Sequence, residues 1–179
     1  MARWRVHGER VLHDSDTVRL ELADVELTDG TRIDHYVVRI PFQVVSLVIS
    51  DDEGRVLLLW RHRFIPDTWS WDVPAGKVAP GEAPADAAVR ACVDETGWRP
   101  GPARLLGAYH PSPGISDQRF GVHVAHGAEQ IAAPSPNEVE RVEWVPLAEV
   151  RTLIREGQVD GLSLTSLLWA LETGTSKPS

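Results

Sequence analysis

The chain has 179 residues and a formal net charge of −8, from 18 basic and 26 acidic residues. This length suits one domain with a core of its own. The excess of acids excludes binding to nucleic acid by general attraction, which needs clustered Lys and Arg. No apolar run approaches the about 20 residues that cross a bilayer. We therefore predict a soluble protein without a nucleic-acid or membrane partner.

Cysteine usage bears on the compartment. The single cysteine, Cys92, excludes a disulfide within the chain. The sequence also lacks the charged and apolar segments of a secretory signal at its start. Cytoplasm is therefore the expected compartment.

The first predicted elements are strands. Residues 17–40 alternate apolar and polar side chains around the turn TDG, which predicts an antiparallel meander of two or three strands. Residues 44–50 (VVSLVIS) and 55–61 (RVLLLWR) are continuous apolar runs separated by DDEG, and they predict a buried hairpin of a central sheet. The stretch SWDVPAG at 70–76 predicts a short strand that enters a turn.

A helix is predicted over 84–96. Pro84 suits the first helical position, Asp86 lies near the positive end of the helix dipole, and Gly97 suits the residue that follows a helix. Strands are then predicted near 104–109, 119–126 and 139–145, followed by helices near 146–157 and 163–172. This order of elements predicts an α+β fold or a mixed three-layer sandwich.

The most informative segment is GKVAPGEAPADAAVRACVDETGW, residues 76–98. On the predicted helix, Arg90 and Asp94 are four residues apart and can pair, while Glu82 precedes the same helix. Carboxylate and carbonyl oxygens suit Mg²⁺ or Mn²⁺, which bridge to substrate phosphates. The plainer interpretation is an amphipathic helix with a solvated acidic face.

The spacing of the whole segment favours the metal site over the plainer interpretation. The segment resembles the signature of the Nudix hydrolases, G-x5-E-x7-R-E-U-x-E-E-x-G-U, in which U is a bulky apolar residue. The matching residues are Gly76, Glu82, Arg90, Cys92, Glu95, Gly97 and Trp98, with Asp94 in place of a glutamate. The resemblance implies an α/β/α sandwich around a mixed sheet and the hydrolysis of a nucleoside diphosphate linked to another group.

The resemblance also implies a site for Mg²⁺ or Mn²⁺. In the family the ion is held by the acidic pair, here Asp94 and Glu95, and by the carbonyl before the first glycine, here Ala75. Glu82 is a further candidate ligand. An arginine at the position of Arg90 typically orients a glutamate through a salt bridge, which implies a catalytic role.

Two positions depart from the signature. The residue after the arginine is usually a carboxylate that binds metal or acts as general base, and Ala91 can do neither. Asp94 is one methylene shorter than the usual glutamate. The loss of one ligand is expected to leave one ion bound and to weaken a second or third. Because removal of a general base costs about 10²–10⁴ in rate, we expect reduced or altered turnover.

A second segment, AYHPSPGISDQRF at 108–120, resembles the loop Y-x-S-P-G-x-S-D-E of ADP-ribose and nucleotide-sugar pyrophosphatases. The resemblance implies that Ser112, Pro113 and Gly114 bind substrate. Gln118 stands where a glutamate is common. The plainer interpretation is a tight turn, which the sequence Pro-Ser-Pro-Gly also forms.

Other residues are implied by the same branch of the family. Arg63, in the stretch WRHRF, resembles the arginine that those enzymes offer to the pyrophosphate, and Arg61 is the second candidate. Residues 137–171 resemble the part of ADP-ribose pyrophosphatases in which a mobile loop brings in a catalytic glutamate. Glu138 or Glu140 is predicted for that role.

Aromatic residues are candidates for stacking on a base. Trp69 is our candidate, with Trp71 and Trp4 as alternatives. A tryptophan is more often part of a core or an interface. His62 and His110 have no Cys or His partner at zinc spacing, so we assign them no metal.

The resemblance covers about residues 40–171. In the ADP-ribose branch the N-terminal sheet swaps between subunits, which implies a homodimer. We therefore predict an N-terminal β-meander at 1–40 as a dimerisation element, a Nudix domain at 41–173 and a flexible tail at 174–179.

Two functions remain open from the sequence. The first is divalent-metal-dependent hydrolysis of the pyrophosphate bond of ADP-ribose or a related nucleoside diphosphate sugar, and the retained Asp94 and Glu95 favour it. The second is a catalytically impaired Nudix domain that binds such a nucleotide as a sensor or interaction module. Ala91 and Gln118 favour that alternative.

Overall fold

The computed structural model describes residues 3–159 and 161–173, so the tail predicted at 174–179 lies outside the described residues. The described strands are β1 (Arg5–Asp14), β2 (Arg19–Glu26), β3 (Arg32–Arg39), β4 (Val44–Ser50), β5 (Arg55–Arg63), β6 (Thr68–Asp72), β7 (Ala75–Lys77), β8 (Trp98–Pro100), β9 (Arg104–Tyr109), β10 (Phe120–His126), β11 (Ala128–Gln130) and β12 (Arg141–Pro146). The described helices are α1 (Pro84–Thr96), α2 (Leu147–Arg155) and α3 (Gly161–Thr173).

The chain divides into two compact units, one formed by the N-terminal 43 residues with Tyr109–Arg119 and the other by the remainder. The first unit contains an antiparallel sheet in the order β1-β2-β3. The predicted meander is confirmed for β2 and β3. Strand β1 lies within the range 1–40 predicted for the meander, although all ten of its residues are exposed and no apolar alternation marks it.

The segment Tyr109–Arg119 packs against the edge of the first unit's sheet. The Nε2 atom of His35 lies 2.8 Å from the carbonyl oxygen of Gly114. The backbone N–H of Ile40 donates to Asp117 at 3.2 Å. These contacts attach the proline-rich loop to β3 and the residue that follows it.

The second unit is built on a seven-stranded mixed sheet. Its main order is β12-β5-β4-β10-β9, with β6 paired to β5 and β7 paired to β4. Strands β4 and β10 are parallel, while β12–β5, β5–β6 and β4–β7 are antiparallel. The mixed sheet predicted for the fold is therefore confirmed.

The central hairpin separates soon after its turn. Strands β4 and β5 pair in register only at Ser50 and Val56. Further from the turn, β4 pairs with β7 and β5 pairs with β6. The two central strands therefore each have a different neighbour, and their separation makes room for a cavity.

Helices cover both faces of the mixed sheet, as the sandwich prediction requires. On one face, Val48 and Leu58 pack with Leu153 of α2 and Leu167 of α3. On the other face the core comprises Val45, Leu47, Ile49 and Leu57 of the sheet with Ala87, Ala88 and Cys92 of α1. Since neighbouring residues of β4 point to opposite faces, its run of apolar residues fills both layers.

Helix α1 begins and ends where the sequence predicts. Pro84 is its first residue, and Gly97 follows it with φ 74°, in the left-handed region that favours glycine. The N–H of Gly97 donates to the carbonyl of Val93 at 2.9 Å. A side chain at Gly97 would also overlap the carbonyl of Ala132, so the glycine serves both the helix end and a close backbone approach.

The described residues contain no helix that is both long enough and apolar enough to cross a membrane.

Candidate active site

A cavity of about 440 Å³ lies where β4 and β5 separate. Strands β4 to β7, the end of α1 and the first turn of α3 all contribute to its wall. The polar residues that line it are Arg61, Arg63, Ser70, Asp72, Lys77, Glu95 and Ser163, beside the backbone of Ala75 and Gly76. Arg61, Arg63, Ala75 and Glu95 were predicted as site residues, so the fold brings four of them to one cavity.

Glu95 presents a buried carboxylate to this cavity. The residue is 6% exposed, and its Oε2 atom accepts the N–H of Ala75 at 3.0 Å. Its Oε1 atom lies 2.8 Å from Nη2 of Arg61. Burial raises the pKa of Glu95, and the nearby charge of Glu138 adds to this effect, while Arg61 opposes it. The carboxylate is thus held in a position where water solvates it poorly.

Asp72 is a second buried carboxylate, at 2% exposed. Its Oδ2 atom contacts Nη2 of Arg63 and lies 3.5 Å from Nε of Arg61. Its Oδ1 atom accepts the hydroxyl of Ser70 at 3.1 Å. Sequence reasoning missed Asp72, although an acid within the apolar stretch WSWDVPAG was a signal that a buried carboxylate needs partners.

Arg90 and Glu82 form a separate, solvent-facing pair. Glu82 accepts Nε of Arg90 at 2.8 Å, Nη2 at 2.9 Å, and the N–H of Ala79 at 2.9 Å. The bonds from Arg90, followed by the one from Ala79, lower the pKa of Glu82 to about 2. Arg90 also donates to the carbonyl of Lys77 at 2.9 Å. The pair therefore ties the loop before α1 to the helix, as implied for Arg90, and both oxygens of Glu82 are engaged.

Asp94 is exposed on α1. Its Oδ2 atom lies 3.6 Å from Nη1 of Arg90, which matches the predicted four-residue pairing. Unlike Glu95, it does not line the cavity that the strands form. It is therefore open to water and to ligands that approach from the solvent.

The position of the missing carboxylate is filled by close packing. Ala91 is 4% exposed. An ideal Cβ built on Gly76 would lie 2.7 Å from Cβ of Ala91, which is closer than two such atoms approach. The loop backbone at Gly76 thus rests against the helix at Ala91, and a side chain at position 76 would overlap Cβ of Ala91.

The donors at this cavity fit one divalent ion with an incomplete protein shell. Glu95 and Ala75 both line the cavity, and a carboxylate and a backbone carbonyl are oxygen donors of the kind that Mg²⁺ accepts. In the part of the chain that the structure describes, no three His, Cys, Asp or Glu side chains are grouped to hold a metal by themselves. Water and substrate oxygens would have to complete the shell.

The two candidate bases lie in the segment between β11 and β12. Glu138 and Glu140 are both exposed. The segment is fixed to α1 where the N–H of Ser135 donates to the carbonyl of Glu95 at 3.1 Å. It is fixed to β5 where the N–H of Glu140 donates to the carbonyl of Trp60 at 2.9 Å. Glu138 is the one whose charge acts on the pKa of Glu95, so it is the nearer candidate in electrostatic terms.

The remaining predicted residues do not line this cavity. Trp69 is 50% exposed and stacks on Trp60 with ring centroids 5.9 Å apart. Ser112, Pro113 and Gly114 are exposed and belong to the first unit. The carbonyl of Ser112 accepts hydrogen bonds from the N–H groups of Ile115 at 3.0 Å and Ser116 at 2.9 Å, which confirms the tight turn.

Comparison with known proteins identifies the family. The model of the NUDIX domain matches residues 41–164. The chain is 39% identical over 157 residues to a CMP-5'-(N-acetyl-N-hydroxy-3-aminopropyl)phosphonate hydrolase of Streptomyces rubellomurinus, covering 87% of this chain and 76% of that protein. It is 26% identical over 178 residues to an ADP-ribose pyrophosphatase of Mycobacterium tuberculosis, covering 96% of this chain and 86% of that protein.

A solved structure shows the same fold. A crystal structure described as an ADP compounds hydrolase superposes with a TM-score of 0.81 at 18% identity, covering 97% of both chains. This chain therefore belongs to the Nudix family and is a Nudix hydrolase of the ADP-ribose pyrophosphatase-like branch.

Proposed function

We propose that this Nudix hydrolase cleaves the pyrophosphate bond of ADP-ribose or a related nucleoside diphosphate sugar, with Mg²⁺ or Mn²⁺ as the metal. The observation that carries the proposal is the buried carboxylate of Glu95 beside the backbone of Ala75, in a cavity that also contains Arg61 and Arg63. This combination offers oxygen donors for a cation and guanidinium groups for phosphate at one place.

Glu95 and the carbonyl of Ala75 would hold the ion at the cavity, with Asp94, which is exposed and does not line the cavity, as the further candidate ligand. When bound, the ion would polarise a phosphate oxygen and lower the pKa of a bound water. Glu82 has both oxygens engaged by Arg90 and Ala79, so we assign it to the pair that fixes the loop before α1.

The chain's own residues would neutralise charge and move a proton. Arg63, half-exposed at the cavity, would contact the phosphate oxygens as negative charge develops there. Glu138 would accept a proton from the attacking water, with Glu140 as the alternative base. A new phosphorus–oxygen bond to water forms, the anhydride bond breaks, and a mononucleotide and a sugar phosphate leave.

A second candidate substrate is a CMP-phosphonate. The similarity at 39% identity to a protein named for hydrolysis of such a compound favours it. In both substrate classes a nucleoside monophosphate is joined to a second phosphorus-containing group, so the same charges would serve. The binding-module alternative has less support, because the cavity retains Glu95 and its arginines and the relatives above are named as hydrolases.

We further propose that the protein acts in the cytoplasm as a homodimer. The exposed strand β1, in the element proposed for residues 1–40, would supply subunit contacts. Cys92 is a free, buried thiol, which suits a reducing compartment. Sedimentation of the purified chain tests the dimer, and a monomer at micromolar concentration would contradict it.

A substrate panel tests the reaction. Purified protein is incubated with ADP-ribose, ADP-glucose, UDP-glucose and a CMP-phosphonate, each with Mg²⁺, with Mn²⁺ or with EDTA, and products are separated by ion-exchange chromatography. We expect AMP and ribose 5-phosphate from ADP-ribose, or CMP from the CMP-phosphonate, only when metal is present. Tight nucleotide binding without product from any compound would favour the sensor instead.

A further inference from the structure

Arg61 is a buried arginine with two nitrogen atoms that lack a well-aligned hydrogen bond. The residue is 8% exposed, and its Nε and Nη2 atoms have no hydrogen-bond partner within the described chain. Nη2 lies 2.8 Å from Oε1 of Glu95 and Nε lies 3.5 Å from Oδ2 of Asp72, so both nitrogens have ion-pair partners but neither makes a well-aligned hydrogen bond. Buried donors without acceptors are rare because they lose their hydration without compensation. The arrangement therefore suggests that this guanidinium has another partner in the working protein.

The charges around Arg61 indicate what that partner would be. Among the residues that line the cavity, Arg61, Arg63 and Lys77 are cationic, whereas Asp72 and Glu95 are anionic. The lining therefore carries one more positive than negative charge, which favours an anionic ligand. Since Asp72 also contacts Arg63, it would keep a cationic partner if Arg61 moved.

Glu95 cannot keep Arg61 and bind a divalent ion through the same oxygen. The two cations would repel each other at that short distance. Ala91 leaves α1 without a carboxylate at the position that follows Arg90, so a displaced guanidinium would find no second acid there. Oδ2 of Asp72, 3.5 Å from Nε of Arg61, is shared with Arg63, so a phosphate oxygen in the cavity would be the acceptor for the Nη2 group that Glu95 releases.

We propose that Arg61 is a positioning residue that couples metal binding to phosphate binding. Its guanidinium holds Glu95 in the metal-free protein and turns toward a substrate phosphate when Glu95 binds a divalent ion. This inference rests on the proposed function, because it places the metal and the phosphate in the cavity of Glu95. It makes the arginine an internal counter-ion that a divalent ion must displace.

The coupling is measured by titration with Mn²⁺, followed by electron paramagnetic resonance, with and without α,β-methylene-ADP, whose bridge resists hydrolysis. In the wild-type chain we expect the nucleotide to raise Mn²⁺ affinity about tenfold, within the usual range of coupling between sites. In Arg61→Gln we expect Mn²⁺ alone to bind about fivefold or more tightly than in the wild type, because its competitor is gone. The nucleotide should then raise that affinity by less than about twofold.

Arg63→Gln is the matched control, because Arg63 contacts Asp72 and is half-exposed. Its affinity for Mn²⁺ alone should stay within about twofold of the wild type. Should Arg61→Gln not fold, Arg61→Lys keeps the charge but not the planar fork. We expect Arg61→Lys to retain wild-type affinity for Mn²⁺ alone and to lose most of the nucleotide effect. Full coupling in that variant would overturn the proposal.

The outcomes separate this inference from the proposed function. Unchanged Mn²⁺ affinity and full coupling in Arg61→Gln, together with normal metal binding and hydrolysis in the wild type, would overturn the role of Arg61 alone. Absence of Mn²⁺ binding in a wild type that still hydrolyses substrate would overturn both this inference and the proposed metal.

Discussion

Two carboxylate–arginine pairs beside helix α1 differ in their surroundings. Glu82 and Arg90 face solvent, and two hydrogen bonds from Arg90 lower the pKa of Glu82 to about 2. Glu95 and Arg61 are buried, and the pKa of Glu95 is raised because burial outweighs the favourable charge of Arg61. The same pair of residue types thus has opposite electrostatic consequences at two places beside one helix.

The difference indicates which pair fixes structure and which is available for a ligand. A carboxylate with all its hydrogen bonds made by protein has little to gain from another cation. A buried carboxylate with an imperfectly aligned partner would gain from a divalent ion. Glu82 therefore fits a positioning role, while Glu95 fits the proposed metal site.

The largest expected effect is a difference in the activity lost when Glu95 or Glu82 is replaced. Glu95→Gln keeps an acceptor for the N–H of Ala75 but removes the charge, so we expect kcat/KM for hydrolysis to fall about 10³-fold. Glu82→Gln should cost about 10–100-fold, as for residues that orient a metal site from outside. Initial rates with saturating Mg²⁺ test this order, and thermal melting shows whether both variants fold. Equal losses would remove the distinction between the pairs.

The second prediction concerns the contact between Gly76 and Ala91. We expect this contact to contribute to the free energy of unfolding. Gly76→Ala would place a methyl group against Ala91, so we expect a loss of about 1–3 kcal/mol in the free energy of unfolding. Ala91→Gly in the same chain should restore about 1 kcal/mol or more, because it removes the opposing methyl group. Urea unfolding of both single variants and the double variant measures this coupling. Additive effects would show that the two residues are not in contact.

The pH dependence of stability should have opposite signs for the two pairs. The lowered pKa of Glu82 gives stability that is present above its unfolded value near 4.5 and is lost as pH falls toward about 2. The raised pKa of Glu95 gives stability that is present below the unfolded value and is lost as pH rises through the folded value. Urea midpoints of unfolding are measured across the acid range. The midpoint of Glu95→Gln should therefore increase relative to that of the wild type as pH rises. Glu82→Gln should approach the wild type as pH falls. The same sign for both variants would contradict the assignment.

The smallest expected effect concerns Trp69. This residue stacks on Trp60 and does not line the cavity, so Trp69→Ala should change KM by less than about threefold. The loss of a stacked base, worth about 1–3 kcal/mol, would change KM by more than that. Steady-state kinetics with the best substrate of the panel measures it. A KM tenfold higher or more would show that the base stacks on Trp69.

Local signals predicted the helix of this site, whereas its buried contacts depend on distant strands. Pro84 and Gly97 define α1 through backbone preferences that the sequence displays directly. The setting of Arg61 depends on the β5–β6 register, which pairs it with Ser70 beside Asp72. The hydrophobic pattern of a single segment does not reveal its register with another strand.

The short strand β7 was not predicted, for another reason. Strand β7 has three residues, and its pairing places Gly76 opposite Val45 of β4. Such a strand is held by its neighbour and by Ala91 behind it, not by its own composition. The resemblance to the Nudix signature supplied the proposed role of Glu95, but the contact between Gly76 and Ala91 required the fold.

The most direct test of the central claim maps where a divalent ion binds. Trace Mn²⁺ is added to the isotopically labelled chain, and the loss of backbone amide signals is followed by nuclear magnetic resonance. We predict that Ala75, Gly76 and Glu95 lose intensity first, while the acidic turn at 51–53 keeps its signals. Broadening centred on residues 51–53, with Ala75 and Glu95 unaffected, would contradict a metal-dependent site at Glu95.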